Sequence, residues 1–191
     1  PPAAVTTLEL QPRTLPVSYE YVGQTAGSKE VEVRARVTGI LEQRLFAEGA
    51  PVKAGQPLFV IDPKPLEAQA AAAAAEVARA RAQLTQAERE VTRLKPLAER
   101  RAIGQKEADD AISNAELAGA TMKAAEARLA EVNLSLGYTR VNAPITGLSS
   151  RANKSEGSLV NANETLLTMI WQVDPIWVPF NVSENDRLGL E

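Results

Sequence analysis

The sequence predicts an elongated α+β chain of several domains, in which an antiparallel helical hairpin is inserted in a split β-sandwich. Three observations predict this fold: an alanine-rich central segment, a seven-residue apolar repeat on both sides of a short break, and a β-rich segment that occurs twice. The 191 residues correspond to one or two domains of ordinary size.

The central segment has the composition of a helix. Residues 65–136 hold 22 of the 32 alanines and none of the eight aromatic residues. Alanine is the strongest helix former, and aromatic and β-branched residues favour strands. The flanks contain short β-type runs, such as Val31–Arg34 and Leu58–Ile61, between turns rich in glycine and proline. The chain is therefore expected to be β, then long α, then β.

Both halves of this segment repeat every seven residues, which is the period of a coiled coil. The first series is Leu66, Ala70, Ala73, Val77, Ala80, Leu84, Ala87, Val91, Leu94 and Ala98. The second is Ala108, Ala111, Ala115, Ala118, Met122, Ala125, Leu129, Val132 and Leu136. Between them lies Arg101–Gly104, whose glycine is suited to ending the first helix.

The two series fit a single antiparallel hairpin. Facing positions of such a hairpin must have residue numbers with a constant sum, and the two series pair with sums of 205 or 206 in every layer. A compact helix bundle would need a broader apolar face than two positions in seven. Thirty-odd residues per helix predict a rod of roughly 50 Å.

The two β-rich flanks are copies of one unit. A shift of 108 residues places Ala35–Ile61 on residues 143–169 without a gap, with eight of 27 positions identical, including Thr38, Gly39 and Glu48-Gly49. Because a long hairpin with adjacent ends separates the copies, they are expected to pack together as a pseudo-symmetric sandwich.

Composition excludes several classes of function. The chain has no cysteine and no histidine, so it has no disulfide, no thiol nucleophile, no histidine base and no ordinary zinc site. It contains no glycine-rich phosphate loop, and its net charge of −3 argues against binding nucleic acid. No catalytic residue, cofactor site or metal site is predicted, and the protein is not expected to be an enzyme.

Specific residues resemble a known family. Ala35–Asp62, with Gly39, Glu48-Gly49 and Gly55-Gln56, looks like one lipoyl or biotinyl half-motif. Leu136–Ile170, with Ala143-Pro144-Ile145-Thr146-Gly147, looks like the other. A lipoyl-like domain split by a coiled coil resembles the periplasmic adaptors, or membrane fusion proteins, of resistance-nodulation-division efflux pumps.

This resemblance implies a domain order. The expected parts are 1–34, the start of a β-barrel and membrane-proximal strands; 35–64, the first lipoyl half-motif; 65–136, the hairpin with its tip near 99–104; 137–171, the second half-motif; and 172–191, part of the β-barrel. It also implies an inner-membrane transporter and an outer-membrane channel as partners, and self-association into a trimeric to hexameric ring. The implied location is the periplasm, with an anchor to the inner membrane through an upstream segment.

The resemblance also implies a docking site at the hairpin tip. Family tips carry an arginine, a leucine four residues later and a serine seven beyond that; here the positions are Arg93, Leu97 and Gly104, with glycine in place of serine. Five basic residues and one acid lie between 93 and 106. The predicted channel-binding residues are Arg93, Leu97, Arg100, Arg101, Ile103 and Gly104. Pro96 is expected to kink the last turn of the first helix.

Other functions stay open at this stage. An adaptor of type I secretion or of metal efflux is the first alternative, although the chain has only two methionines and no histidine. A lipoyl or biotinyl carrier subunit is the second. A carrier needs a modifiable lysine in an exposed turn, and the only lysine near the junction, Lys64, lies between two prolines.

Overall fold

A computed structural model describes residues 2–4, 18 and 20–182 of the chain. Those residues contain two long helices, α1 (Lys64–Glu99) and α2 (Gln105–Gly137). The strands are β1 (Ala26–Arg34), β2 (Gly39–Arg44), β3 (Pro51–Val52), β4 (Pro57–Ile61), β5 (Arg140–Asn142), β6 (Gly147–Ser149), β7 (Leu159–Val160) and β8 (Leu166–Trp177). Contacts divide the chain into two units, residues 27–175 and a second unit made of 1–26 with 176–191.

The larger unit contains a sandwich of two four-stranded sheets. One has the order β1-β8-β6-β3 and the other β5-β4-β2-β7. The shift of 108 residues converts each sheet into the other, since β1 corresponds to β5, β8 to β4, β6 to β2 and β3 to β7. Register follows the same rule: Gly39 pairs with Val160, and Gly147 pairs with Val52. The predicted duplication is confirmed as an internal pseudo-two-fold.

Hydrogen bonds between the copies are exchanged in the same way. The backbone N–H of Ala54 donates to Oγ1 of Thr146 at 3.0 Å, and the N–H of Ala162 donates to Oγ1 of Thr38 at 3.0 Å. Glu156 accepts the N–H of Arg44 at 2.8 Å, and Glu48 accepts that of Ala152 at 3.0 Å. The repeated threonines and glutamates therefore join the two halves.

Apolar residues from both sheets fill the space between them. The largest fully buried side chains include Phe59, Leu41, Leu58, Ile61, Leu167 and Ile170. Phe46 packs edge-to-face on Phe59, with ring centroids 5.2 Å apart. Both glycines of the Thr-Gly pairs lie where a side chain would collide: a Cβ on Gly39 would lie 2.7 Å from Cγ2 of Ile61, and one on Gly147 would overlap the carbonyl of Trp171.

The helices leave and enter the sandwich at adjacent strands and pack on each other along the predicted seam. β4 and β5 are antiparallel neighbours, with Val60 opposite Arg140. Every predicted seam residue of α1 and α2 is buried or half-buried, with Ala80, Ala108, Ala111 and Val132 the most buried. The antiparallel coiled-coil hairpin is confirmed.

One local prediction about the hairpin is wrong. Gly104 does not end α1; it is the N-cap of α2, in an extended conformation with φ −68° and ψ 144°. The left-handed residue that reverses the chain is Arg101, with φ 59°. α1 also continues through Pro96 to Glu99, because the proline carbonyl still accepts the N–H of Arg100 at 3.3 Å.

In the second unit, the described residues form one short antiparallel contact. Gly23 is bridged to Phe180, the N–H of Gln24 donates to the carbonyl of Pro179 at 3.2 Å, and Tyr21 stacks on Phe180. Many residues of the expected barrel segments, including 5–17 and 183–191, lie outside the described residues.

Candidate functional site at the hairpin tip

The tip is a tight turn of five residues, 100–104, between two helices. The N–H of Ala102 donates to the carbonyl of Leu97 at 2.9 Å, and the N–H of Arg101 donates to that of Ala98 at 2.9 Å. These two bonds form a Schellman motif, which satisfies carbonyls at the end of α1. α2 then begins at once after Gly104, so the tip side chains are held close together at the end of the rod.

The predicted contact residues are all at or near this turn, and five of the six are exposed. Four of them face solvent: Arg93, Arg100, Arg101 and Gly104. Leu97 is 37% exposed, and Ile103 is half-buried. A Cβ on Gly104 would meet no atom within 4 Å. The structure therefore brings together at one end of the hairpin the residues that the family resemblance and the local charge had indicated.

Most of the basic side chains at the tip have no acidic partner. Arg93 forms an ion pair with Glu90 one turn earlier, and its side chain is still 69% exposed. Among the described residues, no ion pair holds Lys95, Arg100, Arg101 or Lys106. Arginine is well suited to bind carboxylates and carbonyl oxygens, because its planar group donates several hydrogen bonds. The tip can thus bind an acidic or carbonyl-rich surface.

Ion pairs of the same spacing occur elsewhere on the hairpin. Arg79 binds Glu76 with two nitrogens, and this hydrogen bonding lowers the pKa of the Glu76 carboxyl and raises the pKa of Arg79. Arg128 binds Glu131 through a single nitrogen on α2. Pairing three residues apart is therefore a general feature of the helices. The tip differs in its concentration of basic side chains, five of them between residues 93 and 106 against one acid, Glu99.

Sequence reasoning missed a contact at the other end of the hairpin. Arg36, in the loop after β1, lies over the ring of Tyr138 with Cζ 3.6 Å from the centroid, and donates to its hydroxyl at 2.8 Å. Tyr138 is the C-cap of α2, so this contact ties the root of the hairpin to the sandwich. In the repeat, Arg36 corresponds to Pro144, and because most positions differ between the two copies, no sequence signal marked this contact.

Other kinds of site find little support. The described residues contain no group of three acidic, histidine or cysteine side chains able to hold a metal ion. Lys64 is the first residue of α1 rather than part of a turn between strands, so it lacks the setting of a carrier lysine. Neither long helix has a stretch apolar enough to cross a membrane within the described part of the chain.

The fold agrees with one family of known proteins. Residues 29–172 match the family model described as RND MFP, barrel-sandwich hybrid domain. The chain belongs to the RND membrane fusion protein family. Its members are periplasmic adaptor proteins.

Individual relatives extend the match over nearly the whole chain. The efflux pump periplasmic linker BepD of Brucella suis is 40% identical over 188 residues, which are 97% of this chain and 47% of BepD. The multidrug efflux pump subunit AcrA of Escherichia coli is 35% identical over 192 residues, covering 100% of this chain and 48% of AcrA. The chain thus spans about half the length of these relatives.

Solved structures show the same fold. MacA from Actinobacillus actinomycetemcomitans superposes with a TM-score of 0.63 at 25% identity, over 87% of this chain and 56% of MacA. ZneB from Cupriavidus metallidurans gives 0.59 at 27% identity, over 89% of this chain and 73% of ZneB.

Proposed function

We propose that this chain is the hairpin-bearing part of a periplasmic adaptor that links an inner-membrane efflux transporter to an outer-membrane channel. The observation that carries the proposal is the hairpin itself: α1 has 36 residues and is about 54 Å long, and it ends in a cluster of unpaired cations. Two relatives support it by name, since BepD is an efflux pump periplasmic linker and AcrA a multidrug efflux pump subunit. The cargo is a drug or another small molecule.

The tip is the surface that docks on the channel. Arg93, Arg100 and Arg101 donate hydrogen bonds to carboxylate or carbonyl oxygens of the channel, and Leu97 and Ile103 supply apolar contact. Gly104 replaces the serine expected from the family pattern, so one polar contact is absent here. The exposure of the three arginines supports this assignment, as does the lack of an ion pair at Arg100 or Arg101 among the described residues.

Four further statements belong to the same proposal. Copies of the protein associate side by side into a ring of three to six. The protein is anchored at the inner membrane. It acts as a linker and catalyses no reaction. Apart from β1 and β8, which belong to the sandwich, the segments before residue 35 and after residue 171 contribute to a β-barrel. The antiparallel contact between Gly23 and Phe180 supports this.

Arg93→Asp tests the tip, with Arg128→Asp as the matched control. Each arginine is exposed and forms an ion pair with a glutamate three residues away, but Arg128 lies near the sandwich end of α2. In the full-length protein, we expect Arg93→Asp to reduce co-purification with the channel about tenfold, a change of ~1.4 kcal/mol. Drug tolerance of the cells should fall with it.

The control variant should bind the channel and support efflux like the parent protein. Circular dichroism at 222 nm should show unchanged helix content in both variants. Normal efflux with Arg93→Asp, or an equal loss in the two variants, would reject docking through the tip.

A further inference from the structure

Pro96 lies inside α1 and leaves one backbone acceptor of that helix without its usual donor. An α-helix binds each backbone N–H to the carbonyl four residues earlier, and proline has no N–H to donate. The carbonyl of Thr92 therefore lacks its helical donor. The Thr92 hydroxyl does not fill the gap, because it donates to the carbonyl of Glu88 at 2.8 Å. The gap lies within the helix rather than at its end, seven residues before Glu99.

Thr85 shows that a threonine alone does not create this feature. Its hydroxyl donates to the carbonyl of Arg81 at 2.9 Å, which is the arrangement also found at Thr92. The residue four positions after Thr85 is Arg89, which has a backbone N–H to give to the Thr85 carbonyl. The acceptor at Thr92 is therefore a consequence of the proline.

This acceptor lies on the same face of α1 as two of the proposed docking residues. Residues three or four apart are neighbours on a helix surface, so Pro96 lies between Arg93 and Arg100. Thr92 lies one turn before Pro96, and all four residues are exposed. Because helix carbonyls point toward the C-terminal end of the helix, that of Thr92 is directed along α1 toward the tip.

A docked partner changes the energetic cost of this acceptor. In water the carbonyl is hydrated, but a carbonyl that is covered without a donor loses this hydration and destabilises the complex. A partner that covers this face must therefore present a hydrogen-bond donor. A cationic donor is disfavoured there, since it would lie beside Arg93 and Arg100 and be repelled by them. The chemistry selects a neutral N–H or O–H group.

We propose that the Thr92 carbonyl accepts a hydrogen bond from a neutral N–H or O–H group of the outer-membrane channel, and that Pro96 is the positioning residue that keeps this carbonyl available. The inference rests on the proposed docking of the tip, and it adds an acceptor beside the arginine donors. Pro96 acts through the N–H that it lacks rather than through a contact of its own ring.

Two changes at position 96 separate the missing N–H from the proline ring. Pro96→Ala supplies the N–H that binds the Thr92 carbonyl within the helix. In the full-length protein, we expect the affinity for the channel that co-purifies with it to fall about tenfold, because the donor of the channel then lacks its partner.

The matched control replaces Pro96 with lactic acid, introduced through a suppressor transfer RNA in cell-free synthesis. Lactic acid has the methyl side chain of alanine and, like proline, no backbone N–H. The channel should therefore bind this variant as tightly as it binds the parent protein. Alanine is a better helix former than proline, so Pro96→Ala should also raise the melting temperature seen by circular dichroism.

Weaker channel binding with Pro96→Ala, together with parental binding of the lactic acid variant, supports the proposal. Unchanged binding with Pro96→Ala would overturn it, and a higher melting temperature alone would then show a purely structural role. Weaker binding of the lactic acid variant would also overturn it, because the ring and not the missing N–H would then matter.

Arg93→Asp, measured in parallel, tells which of the two proposals fails. If Arg93→Asp weakens channel binding and Pro96→Ala does not, only the acceptor at Thr92 is rejected. If Arg93→Asp binds the channel normally, docking through the tip is rejected, and this inference with it.

Discussion

Arg101 reverses the chain at the tip in a conformation that favours glycine. Its φ of 59° lies in the left-handed region, which costs a residue with a side chain about 1 kcal/mol or more. Arg101→Gly should therefore raise the free energy of unfolding by about 0.5–1 kcal/mol, and Arg101→Lys, which keeps the charge and the strain, should change it little. Chemical denaturation followed at 222 nm measures both; a less stable glycine variant would contradict the assigned conformation.

Positions 147 and 157 both require glycine, but for different reasons. A side chain on Gly147 would overlap the backbone carbonyl of Trp171, whereas Gly157 has φ +83° and open space around it. Gly147→Ala should lower the free energy of unfolding by about 3 kcal/mol or more, because backbone must move. Gly157→Ala should lower it by only about 1–2 kcal/mol, the left-handed strain alone. If urea unfolding gave the two variants equal losses of unfolding free energy, position 147 would not lie as close to the backbone of Trp171 as the structure shows.

At the scale of the helices, the seam was predictable and the turn was not. The seam depends on a repeat of apolar residues, which the sequence shows directly for both helices. The turn depends on which residue takes a left-handed conformation. The preference of helix ends for glycine predicted Gly104, but the hydrogen bonds at the end of α1 place Arg101 in that conformation. The contact of Arg36 with Tyr138 was also missed, because the two residues are 102 positions apart and Arg36 is replaced by Pro144 in the second copy of the repeat.

The alanines of the seam set the spacing between α1 and α2. Ala80 is fully buried there, so Ala80→Leu adds three carbons with no room and should lower stability by about 1–3 kcal/mol. Ala78→Leu, on the exposed side of the same helix, should change it by less than about 0.5 kcal/mol. Thermal unfolding at 222 nm compares the two variants. A stability equal to that of the parent in both would mean that the helices are not held by this seam.

At the scale of the whole chain, duplication was the most informative feature of the sequence. Identical residues at the 108-residue shift turned out to be those that join the copies: Thr38 and Thr146 accept bonds from the opposite copy, as do Glu48 and Glu156. A duplication preserves such residues in pairs because each copy supplies the same contact to the other. Candidate docking residues were predicted differently, from the resemblance to family tips and from local charge, since surface residues leave no packing signal.

The sandwich should fold without the hairpin. Its two halves are joined by their own hydrogen bonds, and the strands on either side of the insertion are already neighbours: the N–H of Ile61 donates to the carbonyl of Thr139 at 2.8 Å. Antiparallel neighbours can be connected by a short turn. Replacing residues 64–137 with a brief glycine-serine linker should therefore leave a cooperative unfolding transition while removing most of the helix signal.

The contribution of the hairpin to the core decides how stable that variant is. Leu66 and Tyr138 are the residues at the hairpin root that pack partly on the core, and only Leu66 is deleted. Losing one such side chain costs about 1–3 kcal/mol, less than the 5–15 kcal/mol typical of a domain. The variant should thus fold, and in the full-length protein it should fail to bind the channel. An unfolded variant would mean that the coiled coil nucleates the two half-motifs, and that the hairpin is part of the scaffold rather than an extension built on it.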